Sequence, residues 1–227
     1  VEFDAVILAG GRSSRLGGAP KSRLVSGGRT LLELSLQAAH GAGTIVVVGP
    51  DPGPLPAGVL TCREEPPFAG PAAAIGAGLG ALAAHRSAGG MDRPTPALTL
   101  VLACDMPRVT AAVTALREAL ETGLEGDGVL AVSADGRRQP LAGFYGTAAL
   151  QRSVAEAARR GALENASVSA LLASLDVRGL GVPPGSTDDV DTWDDAAALG
   201  VSGQGPDKRS GAPRLNPTLE ENGEEPG

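Results

Sequence analysis

Apolar residues along the chain fall into two patterns. Continuous runs at Phe3–Leu8, Thr44–Val48 and Val59–Cys62, and a fourth from Ala97 that closes on Asp105-Met106-Pro107, show no alternation. Unalternating runs of that length predict strands buried on both faces of a parallel sheet. Between them the apolar positions recur at helical spacing. Helices are predicted at Thr30–His40, where Thr30 and Glu33 form a capping box and Gly41 and Gly43 stop the run, and at Ala72–His85, with Pro71 at its first turn. Further helices are expected at Thr110–Thr122, Thr147–Arg160 and Ser167–Ser174. Strand, helix, strand implies right-handed crossovers.

One stretch breaks that rhythm. Val129–Ala134 and Gln139–Tyr145 flank Asp135-Gly136, a hairpin signal, and read as an antiparallel insertion placed to cover a site or meet a second substrate. Val177–Val182 is a last strand, and Asp188–Asp195 leads into a terminal helix ending near Gly200. The expectation is a three-layer, doubly wound α/β domain over residues 1–200, with a mainly parallel sheet and a small antiparallel insertion. Residues 201–227 are Gly, Pro, Ser and Glu with little apolar content, which predicts a disordered tail.

Composition narrows the core and the partners. Hydrophobic residues make up 42% of the 227 but aromatics only 2%, so the core must be built from Ala, Val, Leu and Gly. Gly76, Gly78 and Gly80 in the second helix would let it seat closely on the sheet. A net charge of −7 argues against a nucleic-acid partner, which wants a basic surface. Cys62 and Cys104 form no C-x-x-C pair, and no leader or long apolar span is evident. Reduced thiols, a cytoplasmic location and no membrane contact are expected.

The candidate chemistry begins directly after the first strand. Leu8-Ala9-Gly10-Gly11 opens a loop that continues through Arg15, Leu16, Gly17 and Gly18 to Lys21. Glycines there expose successive backbone N–H groups, and the cations add charge, which makes a seat for phosphates. It is not a Walker A loop, because Pro20 stands where Gly must precede the Lys, and its glycine spacing is not the dinucleotide G-x-G-x-x-G. Asp105 falls at the carboxyl edge of the sheet, where ligands bind in open α/β folds. It is either a metal-binding carboxylate or the cap of an Asx turn.

The pattern L-A-G-G-x-S-x-R-L-G-x-x-x-K, present as Leu8, Ala9, Gly10, Gly11, Ser13, Arg15, Leu16, Gly17 and Lys21, resembles the signature of small Rossmann-like nucleotidyltransferases. Among these it is most similar to the molybdenum cofactor guanylyltransferases. Leu102–Pro107, Gln139–Tyr145 and Asp189-Val190-Asp191-Thr192 resemble further segments of that family, in order, over roughly residues 1–200. The resemblance implies transfer of GMP from GTP to the phosphate of molybdopterin with release of pyrophosphate. Mg²⁺ would be the cofactor, and other cofactor-biosynthesis or acceptor proteins would be transient partners. A cytidylyltransferase of the same architecture and a non-catalytic nucleotide-binding module are the alternatives.

By that resemblance, Arg15, Lys21 and Asp105 are the catalytic residues. Leu8, Ala9, Gly10, Gly11, Lys21, Gly49, Glu65 and Asp105 would bind nucleotide, Asp105 and Asp191 would bind metal, and Arg138 and Gln139 would face the acceptor. The acidic nucleotide contact is Glu64 or Glu65, with Glu65 favoured. Gly49 stands where the family has Asn, and Pro20 where it often has Asp. Asp191 is equally a helix N-cap, Arg137 and Arg138 read as hairpin surface charge ahead of acceptor-phosphate ligands, and Trp193 is expected in the core.

Overall fold

The computed structural model of the chain describes residues 1–11, 13–50, 52–88, 94–123 and 125–203. Its elements begin with β1 (Phe3–Leu8), the short pair β2 (Val25–Ser26) and β3 (Arg29–Thr30), α1 (Leu31–Ala38), β4 (Ile45–Val48) and β5 (Leu60–Cys62). There follow α2 (Pro71–Ala88), β6 (Leu98–Ala103), α3 (Val109–Glu121), β7 (Gly128–Val132), β8 (Arg138–Gly146) and α4 (Thr147–Arg159). The chain closes with α5 (Val168–Leu171), β9 (Val177–Gly181), α6 (Trp193–Ala198) and β10 (Val201–Ser202).

A seven-stranded sheet runs in the order β5-β4-β1-β6-β8-β7-β9. Strands β5, β4, β1 and β6 are mutually parallel, β7 pairs parallel with β9, and β8 alone runs against both neighbours. The fold is therefore the expected three-layer Rossmann-like α/β architecture. The hairpin, however, is no appendage, because β8 lies inside the main sheet between β6 and β7. The separate antiparallel piece is a three-stranded sheet, β10-β2-β3.

Alternation along the strands sorts the core into two layers. Phe3, Ala5 and Ile7 of β1 pack with Ala38, Val113 and Leu116 of α1 and α3 on one face. Val6 and Leu8 pack with Ile75, Leu79, Leu150 and Val168 of α2, α4 and α5 on the other. Gly78 is the glycine that seats α2 on the sheet: a Cβ there would stand 2.6 Å from a Val6 methyl. Gly76 faces Val154 of α4 instead, and Gly80 faces open space.

A third, smaller cluster joins parts of the chain far apart in sequence. Leu16 from the first loop, Leu24, Leu31, Val190, Ala196 and Val201 are buried together. Two expectations are corrected by it. Val201 and Ser202, assigned to the tail, form β10 because Val201 closes this cluster; residues 204–227 lie outside the described residues. Trp193, expected in the core, is 46% exposed, because Val190 and Ala196 supply the buried face of that segment. Among the described residues no helix is long and apolar enough to cross a membrane, and both cysteines are free thiols.

Candidate active site

Strands β1, β4 and β6 end level, with Leu8 paired to Val48 on one side and Ala103 on the other. Cys104 N–H donates to Leu8 O at 3.0 Å and Ala9 N–H to Val48 O at 2.8 Å, so the chains leaving β1 and β6 start side by side. The first loop then folds on itself. Leu16 and Gly18 donate to Ser13 O at 2.9 and 3.0 Å around a 3-10 turn at Ser14–Leu16, and Leu16 enters the third cluster. A second 3-10 turn, Lys21–Arg23, follows Pro20 and returns the chain to the sheet edge.

That return brings Lys21 onto two carboxylates. Its Nζ donates to Asp105 Oδ2 at 3.1 Å and to Asp191 Oδ1 at 2.5 Å. Asp105 lies just beyond β6, and α3 starts from Arg108 with no side-chain cap, so the Asp105 carboxylate is not spent on that helix. Asp191 is not the cap of α6 either. Thr192 is, in a capping box with Asp195, whose carboxylate also accepts the Asp191 N–H at 3.2 Å. The Asp191 carboxylate is thus free to face Lys21.

The late segment is pinned by the residue between its two aspartates. Val190 is fully buried in the third cluster and its N–H donates to Asp105 O at 3.0 Å. In extended chain, neighbours of a buried residue point the other way, and Asp189 joins Asp191 beside Asp105. One carboxylate oxygen from each lies within 4.8 Å of the others, a group that can hold a metal ion. The donors are all hard oxygens, which suits a hard divalent cation. Asp189 is not among the metal ligands expected from the sequence; its signal is the i, i+2 spacing in Asp189-Val190-Asp191.

Charge in the cluster is balanced by the lysine. Burial drives the Asp105 carboxyl above the usual carboxylate range, and Lys21 pulls it back only in part. Burial also acts to lower the Lys21 ammonium, but Asp105 and Asp191 outweigh it and the net shift is upward, so Nζ remains a cation. The neighbouring Cys104 thiol is pushed far up, first by burial and then by Asp105, and is held protonated. It is no nucleophile.

A cleft of about 490 Å³ opens over this centre. Leu8, Gly10, Gly11, Arg15, Lys21, Asp105 and Asp191 all face it, so seven expected site residues come together. Ala9 sits half-buried behind them. Gly49 is placed beneath the loop rather than on the cleft: a Cβ there would lie 2.9 Å from the Ala9 carbonyl carbon, so only glycine lets the two backbones touch.

The acidic residue on the cleft is Glu64, not Glu65, which is exposed. Glu64 Oε1 accepts the Phe68 N–H at 3.0 Å, which turns the side chain inward, where it is 7% exposed. Its Oε2 is buried and has no partner among the described residues. Of the pair expected on the acceptor side, Arg138 is turned away, donating to Val177 O of β9 at 2.8 Å. Arg137 faces the cluster instead, 3.1 Å from Asp189 Oδ1, with Gln139 against it.

A glycine-rich loop, a lysine and a carboxylate cluster meeting at the carboxyl edge of a Rossmann-like sheet are an arrangement suited to a nucleotidyltransferase. Residues 5–177 match the MobA-like NTP transferase domain, and the chain belongs to that family. Solved structures share its fold. Molybdopterin-guanine dinucleotide biosynthesis protein A from Archaeoglobus fulgidus is 19% identical, with a TM-score of 0.59 over 86% of this chain and 96% of that one. Rv0371c from Mycobacterium tuberculosis is 24% identical, with a TM-score of 0.63 over 88% and 97%. The 2-C-methyl-D-erythritol 4-phosphate cytidylyltransferase from Thermus thermophilus is 21% identical, with a TM-score of 0.54 over 86% and 96%. No curated protein sequence matches the chain.

Proposed function

We propose that the protein transfers GMP from GTP to the phosphate of molybdopterin, with Mg²⁺ held by Asp105, Asp189 and Asp191. The observation that carries this reading is the convergence of Lys21 with those carboxylates on one cleft. When bound, the cation would draw charge from the phosphate oxygens around the reacting phosphorus. Lys21 and Arg15 would hold the triphosphate over the backbone N–H groups of Gly10 and Gly11. An oxygen of the acceptor phosphate attacks the α-phosphorus and a new P–O–P link forms. The bond from the α-phosphorus to the bridging oxygen breaks, and its electron pair leaves with pyrophosphate. A phosphomonoester is largely dianionic at neutral pH, so no side chain need take a proton.

Glu64 supports guanine as the base. A carboxylate only accepts hydrogen bonds, and the unpartnered buried Oε2 calls for a donor. Guanine presents two adjacent N–H donors on its pairing edge, whereas cytosine sets an acceptor beside its single amino group. The test is pyrophosphate release from each of the four NTPs with Mg²⁺ and molybdopterin. Release with GTP is expected. Release with CTP alone would make the protein a cytidylyltransferase, and none with any NTP would leave a binding module.

A further inference from the structure

A second cleft, of about 340 Å³, lies between the β7–β8 turn and the chain leading to the carboxylates, and is walled by Ser133, Asp135, Arg137, Gln139, Gly185 and Asp188, with Arg137 the cation between two carboxylates. It shares no lining residue with the nucleotide cleft. We propose that this cleft seats the phosphomonoester group of the acceptor, and that Arg137 exchanges Asp189 for that phosphate when a divalent cation takes the Asp189 carboxylate. The proposal deepens the transfer reading above and rests on it.

The turn is built to present Arg137. Asp135 Oδ1 accepts the Arg137 N–H at 3.2 Å and the Ser133 hydroxyl at 2.5 Å, while the Ser133 N–H donates to Arg137 O at 3.0 Å. With its amide turned to satisfy both atoms, Gln139 accepts from Arg137 Nη2 at 2.8 Å and Nε at 3.0 Å. Arg137 and Gln139, two apart in extended chain, share the face toward Asp189, and Arg138 takes the other face. The guanidinium is aimed from its root to its fork.

Its partner is shared with the metal site. Asp189 is one of the three carboxylates that can hold a cation, so cation and guanidinium compete for it. The ion pair is open to water, at 59% and 36% side-chain exposure, and exposed pairs are weak enough to exchange. Once displaced, the planar fork suits two phosphate oxygens, the geometry in which Arg binds phosphomonoesters. In-line displacement also needs the attacking oxygen opposite the leaving pyrophosphate. Lys21 enters the carboxylate cluster from the first loop, on the nucleotide cleft, and Arg137 enters it from the hairpin, on the second cleft.

The test uses the full chain, Mn²⁺ as a paramagnetic divalent probe, and inorganic phosphate followed by ³¹P relaxation. In wild-type protein with Mn²⁺, phosphate should bind close enough to the ion for strong relaxation. In Arg137→Gln, phosphate binding should weaken by at least roughly tenfold, while Mn²⁺ binds as tightly as before or tighter because a competitor is gone. Arg137→Lys should restore part of the loss. Equal phosphate binding in Arg137→Gln, weakened Mn²⁺ binding in that variant, or phosphate lost in Lys21→Gln alone would each overturn the proposal. No step of this measurement involves transfer. Arg137-dependent phosphate binding without pyrophosphate release would keep the site and remove the reaction; transfer with an unchanged acceptor KM in Arg137→Gln would do the reverse.

Discussion

The two ion pairs that meet at the carboxylate cluster are built differently. Lys21 and Asp105 are each about one-fifth exposed, and the lysine is held by two acids at once. Arg137 and Asp189 are 59% and 36% exposed and pair singly. A half-buried charge that loses its partner is left uncompensated in a poorly solvated place, whereas an exposed one is taken up by water. On the proposed function the nucleotide side is thus a fixed charge array, and the acceptor side an exchangeable one. The proposed transfer, which holds a triphosphate still while admitting a second substrate, needs that division.

The sharpest way to break the comparison is Asp105→Ala. If the nucleotide side is a fixed array, turnover should fall by about a thousandfold or more, read as pyrophosphate release. Circular dichroism should be unchanged, because Asp105 stands outside β6 and caps no helix. A residual rate within tenfold of wild type would mean that the cation does not sit there.

Lys21→Met probes the same array through stability. Without the ammonium, Asp105 and Asp191 face one another unbalanced, and the protein without metal should lose about 1–3 kcal/mol in denaturant unfolding. Millimolar Mg²⁺ should recover most of the loss, since a cation replaces the cation removed. Arg137→Gln should move the same curve by less than about 0.5 kcal/mol. Equal losses in the two variants would erase the distinction between the sides.

Val190→Ala asks what aligns the two aspartates. The residue is fully buried between Asp189 and Asp191, and truncating it should cost about 1–3 kcal/mol. If the valine is the anchor, Mn²⁺ affinity should fall with it although no ligand is changed. Lost stability with unchanged Mn²⁺ binding would show that the bond from Val190 N–H to Asp105 O suffices alone.

What could be read from the chain divides along the same line. The first loop follows its strand directly and its residues lie within Leu8–Lys21, so a local pattern is enough to bring it to the cleft, and Asp105 follows from the apolar run that ends before it. The late segment owes its position to Val190 closing a cluster with Leu16, Leu24 and Val201, contacts made across most of the chain. No periodicity reports those contacts, so the i, i+2 spacing of Asp189 and Asp191 does not by itself place them beside Asp105, and Val201 reads as tail. Strand β8 was legible as a strand, but pattern does not name a strand's neighbours, and its place between β6 and β7 is a long-range pairing. Glu64 and Glu65 differ only in which carboxylate the Phe68 N–H captures.

The smallest expected effect concerns the cap that leaves Asp191 free. The Asp195 carboxyl lies below the usual carboxylate range, held there first by the Thr192 hydroxyl and then by the Thr192 N–H, with a further bond from the Asp191 N–H. A group whose pKa is lower folded than unfolded contributes stability above its unfolded value, about 3.9 for Asp, and that contribution fades as pH falls through the folded value. Amide exchange at Thr192 and Asp195 should therefore be flat from neutral pH down to about 4 and lose protection below it. Asp195→Asn should lower that protection at neutral pH and remove the acid step. Because the cap fixes the backbone on which Asp191 rides, the variant should also loosen Mn²⁺ binding, by less than Val190→Ala does. A larger effect than Val190→Ala would mean that the late segment is held from its helix rather than from its buried valine.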